Sequence, residues 1–292
     1  MKKSLFILIF LFVSLRAFSS DLEFSLAPAT GLSSCKIDEI LYDSSLEPVS
    51  LLEWKQDYIL ETGLSARLKN KKCLYDLSFF YSFPLAQGQM TDTDWEYGEQ
   101  YSFTKHALLK TKSITGQLSF SYSAIQKSFF CLMPQAQLQY LYFSFNAQGG
   151  TGTRNGSPIK TYGIDYYRPS LFTFAGARFN FMPASSVDLY ADFLFSPFCY
   201  EYAYDYHHGV KNPFASIDTQ KGCFSKFKAV AGLQVKINPR LSFESDFSLI
   251  FGPADKGDFY LEEGGLPMTK VNQKSGAAIN HKSLKCFLRI NL

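Results

Sequence analysis

The sequence reads as an all-β protein: a ten-stranded antiparallel transmembrane β-barrel with long extracellular loops. Three features carry that reading. Apolar and polar residues alternate with period two along most of the chain, as in strands with one face in lipid and one in a polar interior. The alternating runs reach about ten residues, the length a tilted membrane strand needs. Aromatics make up 17% of the chain, with 29 Phe and 18 Tyr, as the aromatic girdles of such barrels require.

The first nineteen residues read as an export signal. Lys2 and Lys3 precede an apolar stretch from Leu5 to Leu15, too short to span a bilayer as a helix, and Ala17-Phe18-Ser19 suits cleavage. An N-terminal anchor is the alternative. Residues 20–292 then form one β-barrel domain. The +3 net charge resides in the signal. Removing Lys2, Lys3 and Arg16 from 29 basic residues leaves 26, against 26 acids. Such a balance offers nucleic acid no basic surface.

The strands follow in order. Leu22, Phe24 and Leu26 open the first. Tyr58–Leu68 and Cys73–Phe83 alternate regularly, as do Ser113–Ala124 and Gln135–Tyr142. A less regular strand lies near Tyr162–Phe179. Val187–Ser196, Lys226–Ile237, Leu241–Phe251 and Leu284–Leu292 complete the pattern. The connections alternate in length. Lys69–Lys72, Ala124–Ser128, Met182–Ser186 and Asn238–Arg240 are tight turns. Residues 36–48, 87–108, 146–161, 200–222 and 253–277 read as long loops. That parity matches a barrel with short turns inside and long loops outside, whereas a soluble β-sandwich leaves it unexplained.

Six scattered cysteines contain no Cys-x-x-Cys, which argues against a zinc ribbon or thioredoxin chemistry. Cys199 and Cys223 flank one loop and are the best candidate pair. Gly149–Gly156 reads as a flexible hairpin, not a phosphate cradle, because no Gly-Lys-Ser/Thr follows.

Two short stretches carry candidate chemistry. Gly88–Trp95 holds Asp92 and Asp94, and a later loop holds Asp205 and His207. Residues i and i+2 of an extended chain point the same way, so each pair aims two groups at one spot. Paired carboxylates raise one another's pKa, and an Asp orients a neighbouring His as a base. Together the pairs could activate water for hydrolysis without a covalent intermediate. The residues alone also allow solvated loop side chains, or a metal site recruiting His208, although no known ligand spacing is present.

The stretch Gly88-x-Met90-x-Asp92-x-Asp94-Trp95 resembles the catalytic loop of the omptins, outer-membrane endopeptidases on ten-stranded barrels. Val49–Lys55, Phe143–Thr151 and Asp205-x-His207 resemble further family anchors in the same order. The resemblance implies that Asp92 and Asp94 form one dyad, and Asp205 and His207 the other. His207 would be the base, Asp205 its orienter and Asp92 the holder of the water, with Asp94 assisting; His208 would be a bystander. Glu39 and Met90 are the substrate-binding candidates. Polypeptide substrates cleaved between basic residues, no cofactor and an extracellular site are further implications. A catalytically drifted barrel, acting as an adhesin or structural surface protein, is the alternative.

The chain departs from the family in four places. Ala203 stands where a second pocket acid is expected, so Asp38 or Glu201 would have to compensate. Thr104-Lys105-His106 is all that remains of another signature. Leu138, Tyr140 and Tyr142 stand near the family's charged lipopolysaccharide cluster, so dependence on that outer-membrane lipid is not carried over. Leu292 ends the chain in place of an aromatic residue.

Overall fold

The structure, a computed structural model, describes residues 22–208, 213–263 and 266–292. The expected export signal lies outside the described residues. Ten antiparallel staves follow one another around a ring: β1 (Leu22–Tyr42), β2 (Pro48–Asn70), β3 (Cys73–Pro84, then Gly88–Glu96), β4 (Glu99–Tyr122) and β5 (Phe130–Ala147). They continue as β6 (Ile164–Ala184), β7 (Val187–His207), β8 (Phe214–Gly222 with Phe227–Asn238), β9 (Leu241–Phe251 with Asp255–Glu263) and β10 (Thr269–Asn291). Each stave pairs with the next, and β10 closes on β1 from Ser25↔Asn291 to Tyr42↔Lys274. Closure leaves no open sheet edge for lipid to meet.

Around the lower barrel, apolar side chains face outward. Leu32, Leu64, Phe79, Phe193 and Leu284 are all exposed, with Phe193 at 63%. The inward positions are polar and interlocked. Arg67 joins Asp76 (2.7 Å) and Glu244 (3.1 Å), Arg289 joins Glu244 (2.9 Å), and Arg178 joins Asp192 (2.7 Å). Period-two alternation with a polar interior is the pattern of a membrane barrel, and so small a ring is filled by its side chains.

Four of the five expected long loops are largely sheet, which corrects the loop reading. β1, β4, β6, β7 and β10 run for 21, 24, 21, 21 and 23 residues. At about 3.3 Å per residue, a stave of that length climbs roughly twice the ~30 Å hydrocarbon core even when tilted. The upper halves therefore stand clear of lipid. The fifth expected loop, 146–161, becomes a hairpin of Thr151–Arg154 and Ser157–Lys160 laid on β4. Asn155 and Gly156 take positive φ (49° and 72°), the turn that an Asn-Gly pair favours.

Bulges separate the two tiers. Register shifts insert an extra residue on β2 between Gln56 and Ile59, on β4 between Leu108 and Lys110 and on β7 between Phe195 and Phe198, and change which residues of those staves face inward. Above them lies an apolar plug. Trp54 stacks on Tyr166 (4.5 Å) and Phe145 (5.5 Å), and Met90, Ile37 and Ile164 pack in the same cluster.

Candidate active site

On β3, Met90, Asp92 and Asp94 all point into the barrel because they lie two residues apart. Met90 is the deepest: it is fully buried in the apolar plug, opposite Trp54 of β2. One step higher, Asp92 reaches a cavity of about 390 Å³, and Asp94 reaches it from nearer the rim. Gly88 is needed for this alignment, since a Cβ there would fall 2.4 Å from Gln56 Oε1 and 2.7 Å from the Lys55 carbonyl. On β7, Asp205 and His207 line the same cavity. β3 and β7 are four staves apart in a ring of ten, so they belong to opposite walls.

Each carboxylate has a defined setting. Ser102 Oγ donates to Asp94 (2.6 Å). Asp92 is partly buried, and its Oδ1 lacks a hydrogen-bond partner among the described residues. Burial, then the charges of Asp94 and Asp205, push its pKa up to about 7, against the pull of His207 and Arg154. Ser216 of β8 donates to Asp205, and His207 Nε2 lies 3.4 Å from Asp205 Oδ2. An ionised carboxylate can only accept, so that contact places the proton on Nε2 and leaves Nδ1 as the basic atom. Phe214 stacks on the His207 ring at 4.1 Å and fixes its plane.

The Omptin family profile matches residues 20–289. This chain belongs to the omptin family. No curated protein sequence matches it. Among solved structures, the outer membrane protease OmpT from Escherichia coli superposes with a TM-score of 0.81 at 16% identity, covering 92% of this chain and 97% of that one. The similarity to OmpT is one of fold. The Ail attachment invasion protein of Yersinia pestis (TM-score 0.28, 11% identity, 92% and 99% covered) and the toluene transporter TbuX of Ralstonia pickettii (0.30, 9%, 91% and 89%) are far less similar. Omptins are outer-membrane proteases on β-barrels, and this chain has the barrel.

Around the four site residues, this omptin departs from several expectations. Met90, expected to contact substrate, does not line the cavity, because the strand period places it a step too deep. Glu39 does line it, but as a buried group: it is 5% exposed and accepts from Tyr166 Oη (2.9 Å), Trp54 Nε1 (3.3 Å) and Arg168 (3.2 Å). Burial raises its pKa to about 7 despite Arg168. Neither compensating acid serves. Asp38 faces the other way and pairs with Lys36 (3.0 Å), while Glu201 is sealed below between Arg168 (2.9 Å) and Lys226 (3.6 Å).

An acid reaches the cavity from the adjacent stave instead. Ala203 of β7 pairs with Asp218 of β8, and directly opposed residues share a face. Asp218 lines the cavity, and its Oδ1 is buried without a partner among the described residues. Burial and the charges of Glu39 and Asp205 push its pKa well up. Only the pairing register reveals it; the nearest sequence signal is the period-two run Phe214–Gln220.

His106 is more than a remnant. Its Nδ1 donates to the Gln148 carbonyl (2.8 Å), so Nε2 accepts from Thr104 (2.9 Å) and Thr161 (3.3 Å). The ring ties the rim hairpin to β4, and Gly150 has no Cβ because that ring would lie 2.8 Å away. Burial holds its pKa below the usual histidine value. His208, expected to be a bystander, lines the cavity but bonds Asp165 (2.8 Å). The expected Cys199–Cys223 pair is not formed, and both thiols are free. Cys199 Sγ donates instead to Asp255 (3.1 Å). Cys199, Glu201 and Asp255 are also the group of potential metal ligands that converges among the described residues. The ammonium of Lys226, 2.8 Å from Asp255, already supplies its cation.

Proposed function

We propose that this chain is a cell-surface endopeptidase whose attacking water is activated between Asp92 and His207. One observation carries the reading: Asp92 and Asp94 on β3 line the same cavity as Asp205 and His207 on the opposite wall. Two such walls leave room between them for a peptide and a water.

Each residue then has a task. His207 Nδ1 takes one proton from the water while its Nε2–H stays on Asp205. Asp92 accepts the other water hydrogen and aims the oxygen lone pair at the peptide carbonyl carbon. Asp94, held by Ser102, keeps a second negative charge beside it. The water oxygen bonds to carbon, the carbonyl electrons move to oxygen, and a tetrahedral intermediate forms. His207 next gives its proton to the amide nitrogen, the C–N bond breaks, and an acid and an amine leave. Glu39 and Asp218 supply an acidic lobe suited to a basic side chain at the cleavage site. The polar interior, the lipid-facing band and family membership all support an outer-membrane setting, with the cavity opening at the end away from the short turns.

The test is proteolysis by the refolded protein in lipid against a peptide library, beside Asp92→Asn and His207→Ala. The unmutated protein should cut internal bonds, and each variant should lose about 10²–10⁴-fold, the usual worth of a general base. Equal cleavage by all three would remove the mechanism. A folded wild type that cuts nothing would leave a barrel without this activity.

A further inference from the structure

The walls of the cavity are not uniform in charge. Among its described lining residues are five acids, Glu39, Asp92, Asp94, Asp205 and Asp218, and only one Lys or Arg: Arg154. Arg154 lies on the rim hairpin, opposite Ser102 of β4 in the pairing. Opposed residues share a face, and Ser102 in turn pairs with and donates to Asp94. Arg154 is therefore turned toward the cleft beside the Asp92–Asp94 dyad. No ion pair holds it among the described residues. Its recorded partner is the Tyr101 ring, 5.6 Å from Cζ, which orients the guanidinium without neutralising it.

The ring order sets where Arg154 stands relative to the chemistry. The dyads define a line from β3 to β7. Glu39 on β1 and Asp218 on β8 lie on one side of that line, along the arc β8–β9–β10–β1. The hairpin bearing Arg154 joins β5 to β6 and lies on β4, along the other arc. A bond cleaved between the dyads thus has an acidic lobe on one side and a free guanidinium on the other. Guanidinium geometry matches a carboxylate and repels a cation.

We infer that Arg154 is a specificity residue: it selects an acidic side chain across the scissile bond from the residue held by Glu39 and Asp218. The chain would then favour a junction of basic and acidic residues over two adjacent basic ones. This rests on the endopeptidase reading above.

The test uses quenched fluorogenic peptides in which Arg is fixed and the residue across the bond is Glu, Gln or Lys, made in both chain orders. The wild type should cut the Arg/Glu peptide about fivefold faster in kcat/KM than its Arg/Gln counterpart, the upper range for an exposed ion pair, and Arg/Lys more slowly still. Arg154→Gln should erase the Glu advantage, and Arg154→Glu should invert it toward Lys. Both substitutions are exposed on a hairpin, and circular dichroism with a melting curve confirms the barrel. Equal rates across the three peptides would overturn the inference. So would an Arg154→Gln variant that slows all three alike, since Arg154 would then only tune the dyad.

The same peptides with a reduced, uncleavable bond, read by fluorescence anisotropy, separate this inference from the endopeptidase reading. Should the wild type cut nothing yet bind the Arg/Glu peptide preferentially, and lose that preference in Arg154→Gln, the recognition stands and the catalysis falls. Binding without preference sinks the recognition.

Discussion

Removing the charge of Asp94 should move the acid limb of the activity profile to lower pH. Asp92 has its pKa at about 7, with Asp94 the second cause after burial. In the proposed reaction Asp92 accepts from the water, so activity falls as pH drops through that value. Asp94→Asn keeps the shape and an acceptor for Ser102 Oγ but deletes the charge. Side chains two residues apart on a strand are about 6.6 Å apart. At that distance two unit charges interact by about 2.5 kcal/mol at an effective dielectric of 20, and by about 0.6 kcal/mol in water. At 1.36 kcal/mol per pH unit, the limb should move down by about half a unit to nearly two, with about one unit expected at a half-open cavity. The assay is kcat/KM from pH 4 to 9 for wild type and variant on one peptide. A limb that stays in place, or rises, would show that Asp94 does not act on Asp92 through its charge.

Other outcomes follow from the same geometry. Asp92→Asn should be more stable than wild type above pH 7 and alike near pH 4. The folded carboxyl titrates near 7 and the unfolded one near 3.9, so wild type loses stability as pH rises between them; the difference should reach about 2–4 kcal/mol in melts at pH 8. Glu39→Gln and Asp218→Asn should each lower kcat/KM for an Arg peptide about tenfold against its Gln analogue. Because both acids have raised pKa values, the wild-type preference for Arg should grow from pH 6 to 8, and a flat preference would exclude them from the pocket. Gly88→Ala should cut activity more than tenfold and cost about 2 kcal/mol by forcing β3 away from Gln56 and Lys55, while the circular dichroism of the barrel persists.

The barrel and its site were legible to different degrees. Membrane strands expose a period-two contrast between lipid and a polar interior, and that contrast is local, so the chain itself records it from Tyr58 to Leu292. The turn positions follow for the same reason. The upper sheet was missed because there both faces meet water or protein. Lys36, Glu53 and Lys55 on the outside and Glu39 and Asp92 on the inside give no apolar contrast, so sheet reads as loop.

Asp92, Asp94, Asp205 and His207 could be named from their spacing, since residues two apart on one strand must share a face. Their confrontation across a cavity needed the closed ring. The spacing in Gly88-x-Met90-x-Asp92-x-Asp94 also left depth unassigned, and the barrel puts Met90 in the plug below the carboxylates. Asp218 and Arg154 were invisible because their meaning is a cross-strand partner: Ala203 for one, Ser102 for the other. Pairing register joins residues far apart in the chain, here 15 and 52 positions, and is set by bulges and turns as much as by any residue. Strand identity and the chemical groups are therefore written locally, whereas which groups face one another, and the difference in charge between the two sides of the cleft, arise only once the barrel closes.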